Sequence, residues 1–306
     1  MARPQSTRAA ILVPFAIVTL IWGSTWIVIR DQLGPEGHGV PPSWSVTYRF
    51  TVAAFAMAGV ALARRESFRL GRTGLAFAAA IGTLQFCLNF NFVYRAERFI
   101  TSGLVAVVFA LLLVPNALLA RVLLGQRLGR QLVLGSVVAM AGVTLLFVHE
   151  ARLDPHGPAT ALTGIGFTAL AILAASAANV LQATETARRY PMAATLAVAM
   201  GGGAALDAAI AWVLTGPPVI ETRPGYWLGI AYLGLAASAL AFPLYYRVLR
   251  AIGPAKAAYS SVIVPVIAMA LSTLFEGYRW TTLAAAGAVL VAVGLAIALT
   301  ARRPAR

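Results

Sequence analysis

Residues 94–148 read YRAERFITSGLVAVVFALLLVPNALLARVLLGQRLGRQLVLGSVVAMAGVTLLFV, and residues 246–299 read YRVLRAIGPAKAAYSSVIVPVIAMALSTLFEGYRWTTLAAAGAVLVAVGLAIAL. Both stretches begin with Tyr-Arg, place a proline late in the next apolar run, carry a polar residue eleven positions after it and close with Gly-x6-Gly. The matched positions are Tyr94-Arg95 and Tyr246-Arg247, Pro115 and Pro265, Gln126 and Glu276, Gly135/Gly142 and Gly287/Gly294. These matches, in the same order at nearly the same spacing, indicate a duplication. We predict one repeat over residues 1–150 and a second over residues 151–306.

The composition places both repeats in a lipid bilayer. Hydrophobic residues make up 60% of the chain, charged residues only 11%, and the mean hydropathy is +0.81. A soluble domain carries about a quarter charged residues. Because one span needs about 20 mostly apolar residues, we predict ten transmembrane helices, over about residues 11–29, 44–63, 74–93, 101–120, 128–148, 160–183, 192–215, 226–246, 255–275 and 281–300. The predicted fold class is therefore all-α integral membrane.

The charges predict the orientation of these spans. With the N-terminus inside, the inner segments hold 17 of the 24 basic residues and only two acids, Glu66 and Glu185. This asymmetry follows the positive-inside rule and predicts that both termini are cytoplasmic. The basic residues recur once per two spans and form no single patch, so we predict that the chain does not bind nucleic acid.

Five spans per repeat is an odd number, so the second repeat enters the membrane from the opposite side. Secondary transporters use such inverted repeats to form two states around a site near the bilayer midplane. A proline inside a span removes one backbone hydrogen bond. Pro115 and Pro265 are therefore candidate hinges, although proline is also simply commoner in membrane helices.

The segment LIWGSTWIVIR, residues 20–30, predicts one wall of such a site. Trp22 lies about 16 Å along the helix from Ile11, near the bilayer centre, and Trp26 shares its face. Membrane-belt tryptophans lie at the interface, which explains Trp26 better than Trp22. We interpret the segment as a cavity face that offers two aromatic rings and the hydroxyls of Ser24 and Thr25. Packing of the tryptophans between helices is the alternative.

Uncharged polar side chains deep in other spans extend this predicted site. An unsatisfied amide in hydrocarbon is costly, so these side chains should face one another or water. The candidates are Gln85, Asn89, Asn179, Gln182, Ser238, Tyr245, Tyr259 and Ser260. Tyr48, at the start of the second span, is a further candidate for substrate binding. Acceptor oxygens and aromatic faces hold an ammonium group, and hydroxyl and amide donors hold a carboxylate, so the set suits a zwitterion. Contacts between helices are the alternative for each residue.

Two charged residues fall within predicted spans and have two interpretations each. Arg49 either holds a carboxylate or extends to the membrane surface. Asp207 either carries a proton or another coupling ion, or pairs with a neighbouring helix.

No pattern of an enzyme is present. Cys87 is the only cysteine, His38, His149 and His156 fall in outer loops, and GPAKAAYS lacks the spacing of a P-loop. We therefore predict no catalytic residues, no metal, no cofactor and no use of ATP. A membrane enzyme and a non-transporting scaffold are the competing classes.

The WGS-T-W segment, Tyr48-Arg49 at the start of the second span, the Pro-x10-Gln/Glu spacing and the Gly-x6-Gly endings resemble the EamA family of the drug/metabolite transporter superfamily. The resemblance covers nearly the whole chain and is strongest to the YddG-type amino-acid exporters. It implies ten helices in two inverted five-helix halves around a central cavity, in a bacterial inner membrane. It also implies export of small organic solutes, most directly aromatic and other neutral amino acids, by alternating access.

Two qualifications accompany the resemblance. Gln126 stands where the family usually has glutamate, so a role that needs a charge there is not carried over to this chain. Cationic drugs and other metabolites are the alternative substrates.

Overall fold

The computed structural model describes residues 5–34, 39–125, 129–153, 158–252 and 260–299, which are helical with short connections and contain no strand. Ten long helical rods follow one another: α1 (Gln5–Gln32), α2 (Pro42–Ala63), α3 (Gly71–Ala96), α4 (Ser102–Leu123), α5 (Arg130–Leu153), α6 (Pro158–Gln182), α7 (Met192–Thr215), α8 (Pro224–Ala251), α9 (Ser260–Phe275) and α10 (Thr282–Leu299). A short helix, Glu185–Arg189, joins α6 to α7. The predicted all-α class is confirmed for these residues.

Eight of the ten rods have the length and surface of membrane helices. Among the described residues, eight helices, α1 to α8, are long and apolar enough to cross a bilayer, and α9 and α10 contribute shorter apolar helices, Ile263–Phe275 and Thr282–Ala298. The outward face carries large apolar side chains: Phe55, Val122 and Val213 are 76%, 77% and 81% exposed. Such a surface is expected where side chains meet lipid.

Contacts between loops and helix ends define two ends of the bundle. At the end where α1, α3, α5, α7 and α9 finish, Arg223 Nη1 lies 3.5 Å from Asp31 Oδ1. Glu97, which directly follows α3, lies at this end, and we call it the Glu97 end. At the opposite end, the amide of Ala194 donates to Glu66 Oε2 at 3.0 Å; we call this the arginine-rich end. Each rod runs from one end to the other, so consecutive rods are antiparallel.

The closing helices of the two matching stretches, α5 and α10, pack against each other along their glycines. A Cβ atom on Gly135 would lie 2.3 Å from the carbonyl oxygen of Gly294, and one on Gly142 would lie 2.6 Å from that of Gly287. The first glycine of each helix thus meets the second glycine of the other. The two helices therefore run antiparallel at close backbone distance, which only small residues permit.

Both α3 and α8 contain a stretch of wider π-helix, over Gly82–Asn89 and Tyr232–Leu240. Each stretch carries a glycine at a close contact: a Cβ on Gly82 would lie 2.5 Å from the carbonyl oxygen of Ala199 in α7, and one on Gly234 would lie 3.0 Å from that of Arg49 in α2. π-helical turns are rare in proteins, and those that occur are often found at functional sites. Neither stretch was predicted from the sequence.

The two candidate hinge prolines differ in their local structure. Three residues of 3-10 helix, Ala110–Leu112, interrupt α4 just before Pro115. Pro115 has no N–H for the carbonyl group of Leu111, four residues earlier, which explains the irregular turn. Pro265 lies inside α9, which is continuous over Ser260–Phe275. The hinge role of both prolines stays a prediction.

Candidate functional site

A cavity with an empty volume of about 810 Å³, counted together with its open side, lies in the middle of the bundle. Seven of the rods contribute to its wall: α1, α2, α3, α4, α6, α8 and α9. The predicted site residues in this wall are Trp22, Thr25, Trp26, Arg49, Gln85, Asn89, Asn179 and Tyr245, together with Pro265. Residues from both matching halves of the sequence therefore meet at one cavity.

The other predicted site residues lie outside the wall. The hydroxyl of Ser24 lies 2.7 Å from that of Tyr232, and Gln182 Oε1 accepts a hydrogen bond from Arg250 at 2.9 Å. Tyr48 lies at the Glu97 end, where its hydroxyl donates to the carbonyl oxygen of Val219 at 3.0 Å. These three side chains contact other helices or loops.

Three further predictions concern Ser238, Tyr259 and Ser260. Ser238 Oγ accepts a hydrogen bond from Arg49 Nε at 3.1 Å, so it supports a wall residue from behind. Tyr259 and the side chain of Ser260 fall outside the part of the chain that the structure describes.

Aromatic rings form one side of the cavity. The ring of Trp22 lies 4.8 Å from that of Tyr245 and 5.3 Å from that of Phe242, between centroids. Its indole Nε1 donates to the carbonyl oxygen of Ala237 at 3.1 Å, within the π-helical stretch of α8. The ring of Trp26 lies 5.5 Å from that of Phe109. Trp22 and Trp26 of the segment over residues 20–30 thus both line the cavity and pack between helices. Their two interpretations are therefore combined in one arrangement.

Arg49 is the one charged side chain among the described residues of the cavity wall. It is 1% exposed, and its guanidinium carbon lies 4.1 Å from the centroid of the Phe90 ring. Its Nε donates to Ser238, whereas its Nη1 has no hydrogen-bond partner among the described residues. The alternative that Arg49 extends to the membrane surface is therefore wrong.

Two more buried polar atoms of wall residues have no partner in the described part of the chain: Trp26 Nε1 and Asn89 Oδ1. The amide nitrogen of Asn89 donates to the Gln85 carbonyl oxygen at 3.4 Å, which leaves its amide oxygen unpaired. With Arg49 Nη1, the wall residues thus hold two buried donor atoms and one buried acceptor atom without a partner among the described residues. Such atoms are costly to bury without a partner, so a molecule that carries both an acceptor and a donor suits this wall.

Asp207 lies away from the cavity wall, in the contact between α3 and α7. Its Oδ1 accepts a hydrogen bond from Asn91 Nδ2 at 2.6 Å. Asn91 Oδ1 in turn accepts from Ser43 Oγ at 2.6 Å and from Arg95 Nη1 at 3.0 Å. Asp207 is thus paired with a neighbouring helix, as one of its two interpretations stated.

The described residues contain no group of three or more His, Cys, Asp or Glu side chains that could hold a metal ion. Cys87 is buried and free.

More than half of the wall was not predicted from the sequence. The missed residues are Ile29, Phe90, Val93, Ala106, Phe109, Ala110, Leu112, Ala175, Phe242 and Val264. All are apolar. In a membrane span, the sequence does not distinguish an apolar residue that faces a cavity from one that faces lipid. The polar, charged, tryptophan, tyrosine and proline residues of the same wall carried the signal that the sequence offered.

Comparison with known proteins identifies the family. The profile of the EamA-like transporter family matches residues 9–148 and again residues 162–300. PagO of Salmonella typhimurium is 22% identical, over 96% of this chain and 94% of its own. A "probable amino-acid metabolite efflux pump" of the same organism is 25% identical over 92% of both chains. The inner membrane transporter YedA of Escherichia coli is 28% identical over 84% of this chain and 80% of its own.

A solved crystal structure shares the fold. Its TM-score to this chain is 0.67 at 22% identity, over 97% of this chain and 98% of the other. The two family matches together cover most of the sequence, and the apolar helices agree with a multi-pass protein of the inner membrane. The chain therefore belongs to the EamA-like transporter family.

Proposed function

We propose that this transporter exports amino acids, aromatic and other neutral ones, by alternating access around the central cavity. The observation that carries the proposal is the buried guanidinium of Arg49, whose Nη1 is unpaired in a cavity wall of otherwise uncharged described residues. A buried cation without an anionic partner is unfavourable. A substrate carboxylate supplies that partner and gains a charge-assisted hydrogen bond.

The remaining unpaired atoms suit the other parts of an amino acid. Trp26 Nε1 is a second donor for the carboxylate, and Asn89 Oδ1 is an acceptor for the ammonium group. The rings of Trp22 and Tyr245 offer an apolar surface for a variable side chain. Further polar contacts come from Thr25, Gln85 and Asn179. The efflux pump named above supports the same substrate class, since it is a full-length relative.

Cationic drugs and other metabolites are the alternative substrates. A hydrophobic cation needs a carboxylate or an uninterrupted aromatic cage. The described residues of the wall include no acid, and Arg49 repels a cation. These two facts favour the zwitterion.

We also propose that the fold consists of two inverted five-helix repeats, residues 1–150 and 151–306, with both termini in the cytoplasm. The repeated family match, the antiparallel glycine contact of α5 with α10 and the paired π-helical stretches in α3 and α8 support this arrangement. In this orientation the arginine-rich end faces the cytoplasm. Pro115 and Pro265 then serve as hinges as the cavity opens to either side.

Counterflow in proteoliposomes tests the substrate. Vesicles containing the purified protein are loaded with one unlabelled compound, and the uptake of labelled tryptophan or leucine is followed with and without a pH gradient. We expect neutral amino acids in the lumen to drive uptake and hydrophobic cations to have no effect. Exchange that is driven by cations alone would replace the amino-acid proposal with the alternative.

A further inference from the structure

Glu97 is a fully buried acid that the proposed substrate site does not use. It directly follows the last residue of α3, its side chain is 0% exposed, and neither of its carboxylate oxygens has a hydrogen-bond partner among the described residues. A carboxylate in such a position is unfavourable when ionised, because nothing replaces its lost hydration. The carboxyl group is therefore expected to hold its proton here.

The residues around Glu97 tie four helices together at this end of the bundle. Glu276, at the end of α9, lies 3.7 Å from Arg30 Nε of α1. Its carboxylate also accepts hydrogen bonds from Ser102 Oγ at 2.9 Å, from the Ser102 amide at 3.2 Å and from Ser272 Oγ. Arg30 Nη1 donates to the backbone carbonyl oxygen of Glu97. The positive charge of Arg30 is thus already paired with Glu276. The Glu97 carboxyl group lies close to this ion pair without taking part in it.

The charges that act on Glu97 come from Glu276, Arg30 and Arg49, and Tyr94 is the titratable neighbour on its own helix. Burial raises the pKa of Glu97 well above its usual value, and the charge of Glu276 raises it further. Arg30 and Arg49 lower the pKa by less than burial raises it. The neutral form of Glu97 therefore belongs to the packed arrangement of this end that the structure shows.

We propose that Glu97 is a proton-binding site of the transport cycle, occupied while the Glu97 end is closed and emptied each time this end opens to water. On opening, the O–H bond of the carboxyl group breaks, water takes the proton and a hydrated carboxylate remains; closing reverses the step. This inference needs only that the end opens and closes, and does not depend on which solute is carried.

The sign of the pH dependence follows from linkage. A group with a higher pKa in the closed state stabilises that state at low pH, and this stabilisation is lost as the pH rises through the closed-state pKa. Low pH at the Glu97 end therefore favours closure. For one proton, the ratio of open to closed molecules rises by at most about tenfold per pH unit.

The sequence positions that match Glu97 and Glu276 in the other half carry no acid. Glu97 lies three residues after Tyr94, and the position three residues after the matching Tyr246 is Leu249, which is 1% exposed. The residue that matches Glu276 is Gln126. The pair Glu97 and Glu276 is thus not repeated at the matching positions, so a pH difference across the membrane is expected to act on the two openings unequally.

Distance measurement between spin labels tests this inference. Arg98→Cys and Arg279→Cys place labels on exposed positions beside Glu97 and Glu276. Cys87 is fully buried and is not expected to react, which the parent protein without added cysteines verifies. We expect the short, closed distance to dominate at about pH 5 and the open fraction to grow towards about pH 9.

Glu97→Gln in the labelled protein mimics the protonated group and should stay closed at every pH. Glu221→Gln, at a partly exposed acid of another loop at the same end that pairs with Arg223 and not with Glu97, should behave as the labelled parent. Glu97→Asp should keep a pH dependence and provides the test if the glutamine variant does not accumulate. A parent or an aspartate variant without pH dependence, or a glutamine variant that retains it, would overturn the inference. None of these results depends on amino-acid flux, so a failed substrate proposal would be recognised separately.

Discussion

Gly142 of α5 lies directly against Gly287 of α10: a Cβ atom on Gly142 would be 2.6 Å from the carbonyl oxygen of Gly287. The two residues are the second glycine of one Gly-x6-Gly motif and the first glycine of the other. Gly135 and Gly294 make the second crosswise contact. The Gly-x6-Gly motif, which the sequence shows twice, is therefore also a contact in space between its two copies.

Gly142→Ala should destabilise the protein although alanine is the better helix former. The new Cβ overlaps the backbone of α10, and overpacking of this kind costs about 1–3 kcal/mol. Gly166→Ala is the matched control, because Gly166 is exposed in α6 with nothing within 4 Å of an added Cβ; it should be neutral or stabilising by up to about 1 kcal/mol. Thermal unfolding in detergent measures both. Equal melting temperatures would show that the contact is looser than described.

Trp22→Ala should reduce amino-acid flux at least about tenfold, because it removes a ring from the cavity wall and the hydrogen bond to Ala237. Trp22→Phe keeps an aromatic ring and should retain more flux than the alanine variant. Trp212→Ala, at a 59% exposed position of α7, is the control for loss of an indole elsewhere. The flux per folded molecule in proteoliposomes is compared among the three variants and the parent protein. Full activity of Trp22→Ala would assign Trp22 to packing alone.

Asp207→Asn tests the first candidate for ion coupling. Asp207 is bonded to Asn91 in the contact of α3 with α7 and does not line the cavity. We therefore expect the pH profile of flux to keep its shape and the protein to lose stability. A flattened pH profile, with Glu97→Gln showing the parent profile, would transfer the coupling role from Glu97 to Asp207.

Glu276→Gln should favour the open form of the Glu97 end. Glutamine keeps the size of the side chain but removes its negative charge. That charge pairs with Arg30 and makes the hydrogen bonds from Ser102 stronger than bonds to a neutral acceptor. Hydrogen bonds to charged groups contribute about 1.5–3 kcal/mol, so a shift of about tenfold or more in the open-to-closed ratio is expected. The label pair at positions 98 and 279 reports it. An unchanged distance distribution would mean that Glu276 does not hold this end closed.

The sequence predicted the helices well because each is marked by a long run of apolar residues. Each of the ten apolar runs corresponds to a rod, and the polar residues Gln85, Asn89 and Asn179 face the cavity because hydrocarbon leaves them no other favourable place. Arg49 was found for the same reason. These predictions rest on the cost of burying polar groups, which the sequence records directly.

The remaining features depend on packing between distant helices. The π-helical stretches arise where Gly82 and Gly234 meet other helices, and neither glycine differs in sequence from an ordinary one. Glu97 falls between the predicted spans over residues 74–93 and 101–120, and nothing local in the sequence shows that the charges of Glu276 and Arg30 lie close to it. Gln182 and Ser24 looked like cavity residues and instead bond to Arg250 and Tyr232.

The most direct test of the account is whether Arg49 recognises a substrate carboxylate. Counterflow is compared for tryptophan and for its decarboxylated amine, with the parent protein, Arg49→Gln, Arg49→Lys and Arg152→Gln, an exposed control. We expect the parent to carry the amino acid and not the amine. Arg49→Gln should lose about tenfold or more of the flux, and Arg49→Lys should restore little of it because lysine lacks the planar fork of the guanidinium group. Arg152→Gln should transport as the parent does. Transport of the amine as fast as the amino acid, or full amino-acid flux in Arg49→Gln, would contradict it.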